Sequence, residues 1–216
     1  MLDERAIALA APEAPLAARV GLLERASDHR ALRVAAIASV EAADARRLGL
    51  FDHVDLLALN EDEAAAVSGA AYDRRDARPL LDAVAAAITK ARPRARIIVS
   101  VGADGAYAFS DGSWTSVPAL DVPIASTAGA GDALLGGVLT GLALGLPFAA
   151  PGPRPASLRD RPLASALDLG ACVAAYKVTS PHTIPPGFDL RVLRSFAETQ
   201  GVVFGDALRA LAPEAA

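Results

Sequence analysis

The sequence predicts an α/β fold with a mainly parallel sheet flanked by helices, because apolar runs of strand length alternate with helical patterns. The clearest strand is residues 96–101 (RIIVSV), which are rich in Ile and Val. Residues 32–38 (LRVAAIA) and 54–59 (VDLLAL) have the same character. With 53% hydrophobic and 21% charged residues, the chain has enough apolar material for one domain over residues 1–216.

Segments between these runs predict the helices. Residues 12–29 place Leu16, Val20 and Leu23 on one stripe, which is typical of an amphipathic helix. Glycines and prolines suggest where several other helices end. The further helices are expected over residues 40–48, Asn60 to Gly69, 77–91, 131–145, 162–178, and as two short helices within 189–211. The helix over 131–145 is apolar, and its glycines at 136, 137 and 141 are expected to keep one side bare for close packing.

Two Asp-Gly pairs, Asp104-Gly105 and Asp111-Gly112, flank the segment AYAFS, and the extended piece SWTSVPAL follows. Asp-Gly is a strong signal for a tight turn, so this region predicts a β-hairpin. Residues 149–162 (AAPGPRPASLRDRP) are rich in Pro and Arg and predict a surface loop.

Charge and composition exclude several classes of protein. The net charge of −4 and the absence of a basic patch argue against a nucleic-acid partner. No window approaches the ~18 apolar residues of a membrane span, and the first residues lack the basic start of a signal peptide. Cys172 is the single cysteine, so no internal disulfide forms, and a cytoplasmic location is expected.

The sharpest motif is residues 126–132 (STAGAGD), which lead directly into the apolar helix. A glycine-rich turn at a helix start directs free N–H groups and the positive end of the helix dipole at one spot, which suits a phosphoryl group. Asp132 could accept a proton there from an attacking hydroxyl, or it could simply favour the first helical turn. The motif is neither a Rossmann fingerprint, because Leu134 replaces the third glycine, nor a Walker A loop.

Two weaker motifs follow predicted strands. Residues 60–63 (NEDE) offer carboxylates that suit Mg²⁺, usually through water, but the spacing of Asn60 and Glu63 also fits a helix-capping box. Residues 100–105 (SVGADG) end the clearest strand, where ligands bind in open α/β sheets, but they also fit a tight turn into the hairpin.

Taken together, these motifs resemble the ribokinase-like (PfkB) family of carbohydrate kinases in order and spacing. The resemblance rests on NEDE, on SVGADG before a hairpin, on TAGAGD before an apolar helix, and on the late loop PHTIPPGF. It covers roughly residues 30–188. It implies a ribokinase-like layered fold and an ATP-dependent phosphotransferase acting on a hydroxyl of a sugar or nucleoside, with ATP and Mg²⁺ as cofactors.

The resemblance also implies roles for individual residues. Asp132 is expected to be the catalytic base, and the backbone of Gly129, Ala130 and Gly131 is expected to form the anion hole for the transferred phosphoryl. Glu63 is expected to bind Mg²⁺ through a water molecule. The expected nucleotide-binding residues are Asn60, Ser100, Gly102, Asp104, Gly105 and Thr127.

The chain departs from the family pattern in two places. Ser126 stands where members often have an Asp that helps to hold a monovalent cation, so potassium activation is in doubt. The glycine-rich sugar-binding stretch and the lid strands of full members are missing at the front, so the fold is expected to be truncated at the N-terminus. Because the lid often mediates dimers, a homodimer is left open. Two alternatives also stay open: a hydroxymethyl vitamin-precursor kinase of the same fold, and a silent nucleotide-binding fragment or regulatory chain.

Overall fold

The structure, a computed structural model, describes residues 6–211. The strands are β1 (Ile7–Ala10), β2 (Leu32–Ala36), β3 (Leu56–Asn60), β4 (Arg96–Ser100), β5 (Ala106–Ser110) and β6 (Ser113–Val117). The helices are α1 (Leu16–Asp28), α2 (Ala42–Arg47), α3 (Glu61–Ser68), α4 (Arg78–Ala91), α5 (Ala130–Ala143), α6 (Ala166–Val178), α7 (Leu190–Thr199) and α8 (Asp206–Leu211).

The chain divides into two compact units. The first unit runs to Val101 and also includes Tyr107–Trp114, while the second holds Gly102–Ala106 and the chain from Thr115 onward. Strands β1 to β4 and helices α1 to α4 therefore belong to the first unit, and helices α5 to α8 belong to the second. The single domain expected for residues 1–216 stays a prediction.

The six strands follow one another in the sheet in the order β1-β2-β3-β4-β5-β6. The pairs β1–β2, β2–β3 and β3–β4 are parallel, and each is joined by a crossover that contains at least one helix. Strands β5 and β6 are connected by Asp111 and Gly112, whose φ angles of 51° and 80° are those of a tight hairpin turn. The mainly parallel sheet and the hairpin are both confirmed.

The core of the first unit lies between its sheet and its helices. Leu57 and Ile97, which are register partners on β3 and β4, are fully buried there. Leu23 of α1 and Val84 of α4 pack into the same core. The apolar stripe predicted for α1 is confirmed, since Leu16 and Val20 pack against this core as well.

Most predicted elements are confirmed, and three differ. Helix α1 begins at Leu16, after Pro15, rather than at residue 12. Helix α6 begins at Ala166 rather than near residue 162, because the side chain of Ser165 caps it by accepting a hydrogen bond from the Asp168 amide at 3.2 Å. Strand β1 was not predicted; its four residues (IALA) are short and alanine-rich, and they pair with β2.

Asp55 joins two arginines at the start of β3. Its carboxylate accepts hydrogen bonds from the Arg33 side chain at 2.6 and 2.8 Å and from Arg92 at 2.9 Å. Burial alone would raise the pKa of Asp55, but the bonds from Arg33 and Arg92 outweigh it and lower the pKa below its usual value. This cluster ties β3 to β2 and to the end of α4.

None of the described helices is long and apolar enough to cross a membrane.

Candidate active site

A tight turn places the glycine-rich motif at the start of α5. Gly129 precedes the helix with a φ of 79°, a left-handed conformation that favours glycine. The amide of Ala130 donates to the Thr127 carbonyl at 3.0 Å, and the Ala133 amide makes the first helical bond to the Gly129 carbonyl at 2.9 Å. A side chain at Gly129 would lie 3.0 Å from the methyl group of Thr183, so this position is closely confined.

The amides at this helix start divide into engaged and available donors. The Ala130 amide, expected in the anion hole, is engaged by Thr127. Within residues 6–211, the amides of Gly129, Gly131 and Asp132 donate to no protein acceptor. A helix start with unsatisfied N–H groups binds anions well, so this turn is built to receive one.

Asp132 lies in the first turn of α5 and its side chain is exposed. The start of α5 has no side-chain capping bond, so Asp132 does not cap the helix. Within the described part of the chain, its carboxylate accepts no hydrogen bond and forms no ion pair. A free carboxylate beside available amides can accept a proton from a hydroxyl held at the same place.

Helices α5 and α6 pack closely because glycines face each other. A Cβ at Gly137 would lie 2.7 Å from the Gly170 Cα, and one at Gly141 would lie 2.7 Å from the Ala166 Cα. The prediction that Gly136, Gly137 and Gly141 share one bare packing side is therefore wrong for Gly136, where an added Cβ would meet nothing within 4 Å. Gly136 lies one turn after Asp132 and lines a cavity instead.

That cavity has a volume of about 490 Å³ and opens beside the glycine-rich turn. Gly129 and Asp132 line it together with one face of α5 and of α6. Its largely apolar wall includes Tyr176, which stacks on Phe188 with ring centroids 5.2 Å apart. The lining residues are Gly129, Asp132, Ala133, Gly136, Gly137, Thr140, Leu169, Val173, Tyr176, Lys177, Thr183, Ile184, Pro185, Phe188, Leu190 and Leu193.

Lys177 of α6 is a site residue that sequence reasoning missed. It is only 2% exposed, and its ammonium donates to the backbone carbonyl of Ser126 at 2.9 Å. The available signal was the lysine itself, which interrupts the apolar run ACVAAYKV of α6. On the same helix, Cys172 is a core residue, and burial raises the pKa of its thiol to about 12.

Asn60 and Glu63 form the capping box that their spacing allowed. The Glu63 amide donates to the Asn60 side chain at 2.9 Å, and the Asn60 amide donates to the Glu63 carboxylate at 2.8 Å. Asn60 is also the register partner of Ser100, so these two residues lie side by side at the carboxyl end of β3 and β4. The described residues contain no group of three metal-binding side chains.

Gly102, Asp104 and Gly105 belong to the second unit. Gly102 and Gly105 both have left-handed φ angles, of 54° and 93°. A Cβ at Gly105 would lie 2.1 Å from the Val117 carbonyl oxygen, so only glycine fits this close approach of two backbones. The carbonyl of Asp104 accepts a hydrogen bond from Arg154 in the Pro- and Arg-rich loop.

The predicted residues thus gather in each unit separately. The first unit brings Asn60 and Glu63 next to Ser100. The second unit carries Thr127, the turn at residues 129–131 and Asp132, with Lys177 added to this set by the fold.

The motifs and the fold have counterparts in known proteins. Residues 20–188 match the pfkB family carbohydrate kinase model, and the chain belongs to this family. A 1-phosphofructokinase of Haloferax volcanii is 41% identical over 88 residues, which are 40% of this chain and 27% of that protein. This family membership confirms the resemblance that the motifs indicated.

Solved structures share the fold at low sequence identity. A putative sugar kinase from Clostridium perfringens superposes with a TM-score of 0.66 at 17% identity, over 91% of this chain and 56% of its own. The aminoimidazole riboside kinase from Salmonella enterica gives a TM-score of 0.58 at 22% identity, over 82% of this chain and 56% of its own. The ribokinase-like fold is confirmed, and the chain spans about half the length of these structures.

Proposed function

We propose that the protein is an ATP-dependent phosphotransferase that acts on a hydroxyl group of a sugar or nucleoside. The observation that carries this proposal is the start of α5, which adjoins a cavity. Backbone amides are available there, and the Asp132 carboxylate has neither a helix-capping bond nor an ion pair. Membership of a carbohydrate kinase family supports the same reaction.

The phosphates of ATP fit the glycine-rich turn. The amides of Gly129 and Gly131 would stabilise the negative charge on the phosphoryl group during transfer, helped by the positive end of the α5 dipole. The hydrogen bond from the Ala130 amide to the Thr127 carbonyl holds this turn in shape, so the donors need little rearrangement when the phosphoryl arrives.

Asp132 would act as the general base in the transfer. Its carboxylate would take the proton from the acceptor hydroxyl while the oxygen of that hydroxyl forms the new bond to phosphorus and ADP leaves. The carboxylate is suited to this role because no helix-capping bond engages it. Asp132 also lines the cavity of about 490 Å³, so its carboxylate can be reached from that space.

Mg²⁺ would neutralise charge on the ATP phosphates. In the first unit, the residues that best fit Mg²⁺ are Asn60 and Glu63, which would bind it through a water molecule. The capping bond to the Asn60 amide is compatible with this role, because a carboxylate oxygen accepts more than one hydrogen bond. Ser100, the neighbour of Asn60 in the sheet, would contact the nucleotide from the adjacent strand end.

Calorimetric titration with ATP·Mg²⁺ tests the proposal with a matched pair of variants. Gly129 and Gly145 flank α5, and both have a φ of 79°, so alanine imposes similar backbone strain at either position. We expect Gly129→Ala to lose ATP affinity and Gly145→Ala to keep it, because only Gly129 belongs to the turn. Absence of binding heat from the unmodified chain at millimolar ATP would contradict the proposal, and equal weakening in both variants would contradict the assignment of the turn.

A further inference from the structure

Lys177 is a buried cation at the glycine-rich turn. Its ammonium donates to the Ser126 carbonyl at 2.9 Å, and its Cε lies 3.8 Å from where a Cβ on Gly129 would stand. Lys177 also lines the cavity beside Asp132. The ammonium is therefore fixed between the backbone of the turn and the space in which the proposed transfer takes place.

A buried ammonium needs compensation, and the protein supplies little of it here. Within residues 6–211, no carboxylate forms an ion pair with Lys177, and its one hydrogen bond uses one of three N–H donors. Burying an ionised group without a counter-charge is costly. The remaining donors and the uncompensated charge point to an anion in the cavity as the missing partner.

The same contact leaves no place for a monovalent cation at Ser126. The resemblance to the family implies such a cation next to residue 126, held in many members by an Asp. Here Ser126 supplies no carboxylate, and its carbonyl oxygen already accepts a bond from an ammonium. A second cation at this oxygen would be repelled by the first, so potassium does not fit here as long as the Lys177 ammonium is present.

We propose that Lys177 is a built-in cation that holds the Ser126–Gly131 turn and binds the phosphoryl anion, so that anion binding needs no potassium. This inference rests on the proposed function for the identity of the anion, a phosphate group of ATP. Lys177 acts as a binding and positioning group, because its ammonium adds charge where the available amides already point. The proton of the acceptor hydroxyl still goes to Asp132.

A comparison of the two lysines of the chain tests the inference. The other lysine, Lys90, is exposed near the end of α4 in the first unit and provides a matched control. The affinity for ATP·Mg²⁺ is measured by calorimetry in potassium and in tetramethylammonium buffers. We expect the unmodified chain and Lys90→Met to bind equally in both buffers. Lys177→Met should bind about tenfold more weakly or worse in tetramethylammonium and regain affinity in potassium.

The dependence on potassium separates this role from a purely structural one. Tighter binding by the unmodified chain in potassium, or an affinity of Lys177→Met equal to that of the unmodified chain, would overturn the inference. If Lys177→Met does not fold, Lys177→Arg keeps the charge and should bind without a potassium effect; a potassium requirement in this variant would overturn the inference.

Failure of the proposed function gives a different result. If the unmodified chain does not bind ATP·Mg²⁺, the proposed function is wrong. Melting temperatures then test whether the Lys177 ammonium takes the place of a cation at Ser126. Potassium should raise the melting temperature of Lys177→Met and leave that of the unmodified chain unchanged. The reverse pattern, or no difference between the two proteins, would show that Lys177 does not take the place of a cation at Ser126.

Discussion

Replacing Gly137 with alanine tests the close packing that positions α5. The added Cβ would lie 2.7 Å from the Gly170 Cα and 3.0 Å from the Val173 Cγ2, whereas non-bonded carbons prefer about 3.5–4.0 Å. The two helices would have to separate by roughly 1 Å at this point. Overpacking of this kind costs about 1–3 kcal/mol of unfolding free energy.

The matched control is Gly136→Ala on the same helix. Alanine favours a helix over glycine by about 1 kcal/mol at either position, so the difference between the two variants isolates the clash. Gly136→Ala meets nothing within 4 Å and should be slightly stabilising. In urea unfolding followed by circular dichroism, the unfolding free energy of Gly137→Ala should therefore be about 1–3 kcal/mol lower than that of Gly136→Ala. Equal unfolding free energies would refute the packing described for α5 and α6.

Two further predictions concern stability. Gly105→Ala should cost about 3 kcal/mol or more, because its Cβ would collide with the Val117 carbonyl and its φ is 93°; a thermal midpoint equal to that of the unmodified chain would count against it. Asp55→Asn should cost about 2 kcal/mol at neutral pH by weakening the bonds from Arg33. Because the folded pKa of Asp55 is lowered, its contribution is fully present above the unfolded pKa of roughly 3.9 and is lost as the pH falls through the folded pKa. Below about pH 4, the unfolding free energy of Asp55→Asn should therefore fall less steeply with decreasing pH than that of the unmodified chain. Equal slopes in the two proteins would contradict this.

Local sequence signals were sufficient for much of the fold. Asn60 and Gly69 bound α3 as the sequence predicts, because capping and left-handed glycine conformations are local properties. The Asp111-Gly112 turn between β5 and β6 is predictable for the same reason. Strand β1 escaped prediction because four residues of IALA carry little periodicity, and pairing with β2 decides their conformation.

The candidate site was predictable only in part. The motif at residues 126–132 identified the turn and Asp132, since a glycine-rich segment before a helix is a sequence signal. Lys177 could not be found in this way, because its contact with Ser126 spans 51 residues and depends on how α6 packs. The packing role predicted for Gly136 was wrong for a related reason, because the spacing of glycines along α5 does not tell which of them faces α6.

Acceptor-dependent release of ADP from ATP·Mg²⁺ by Asp132→Asn tests the central claim most directly. The assay compares this variant with the unmodified chain over a panel of sugars and nucleosides, and calorimetry confirms that both bind ATP. We predict that the variant transfers the phosphoryl group about 10²–10⁴-fold more slowly than the unmodified chain, because an amide cannot take up the proton of the hydroxyl. ATP affinity should be retained or increase, since a negative charge near the phosphates is removed. Equal rates of ADP release by the two proteins would contradict the role of Asp132 as the base.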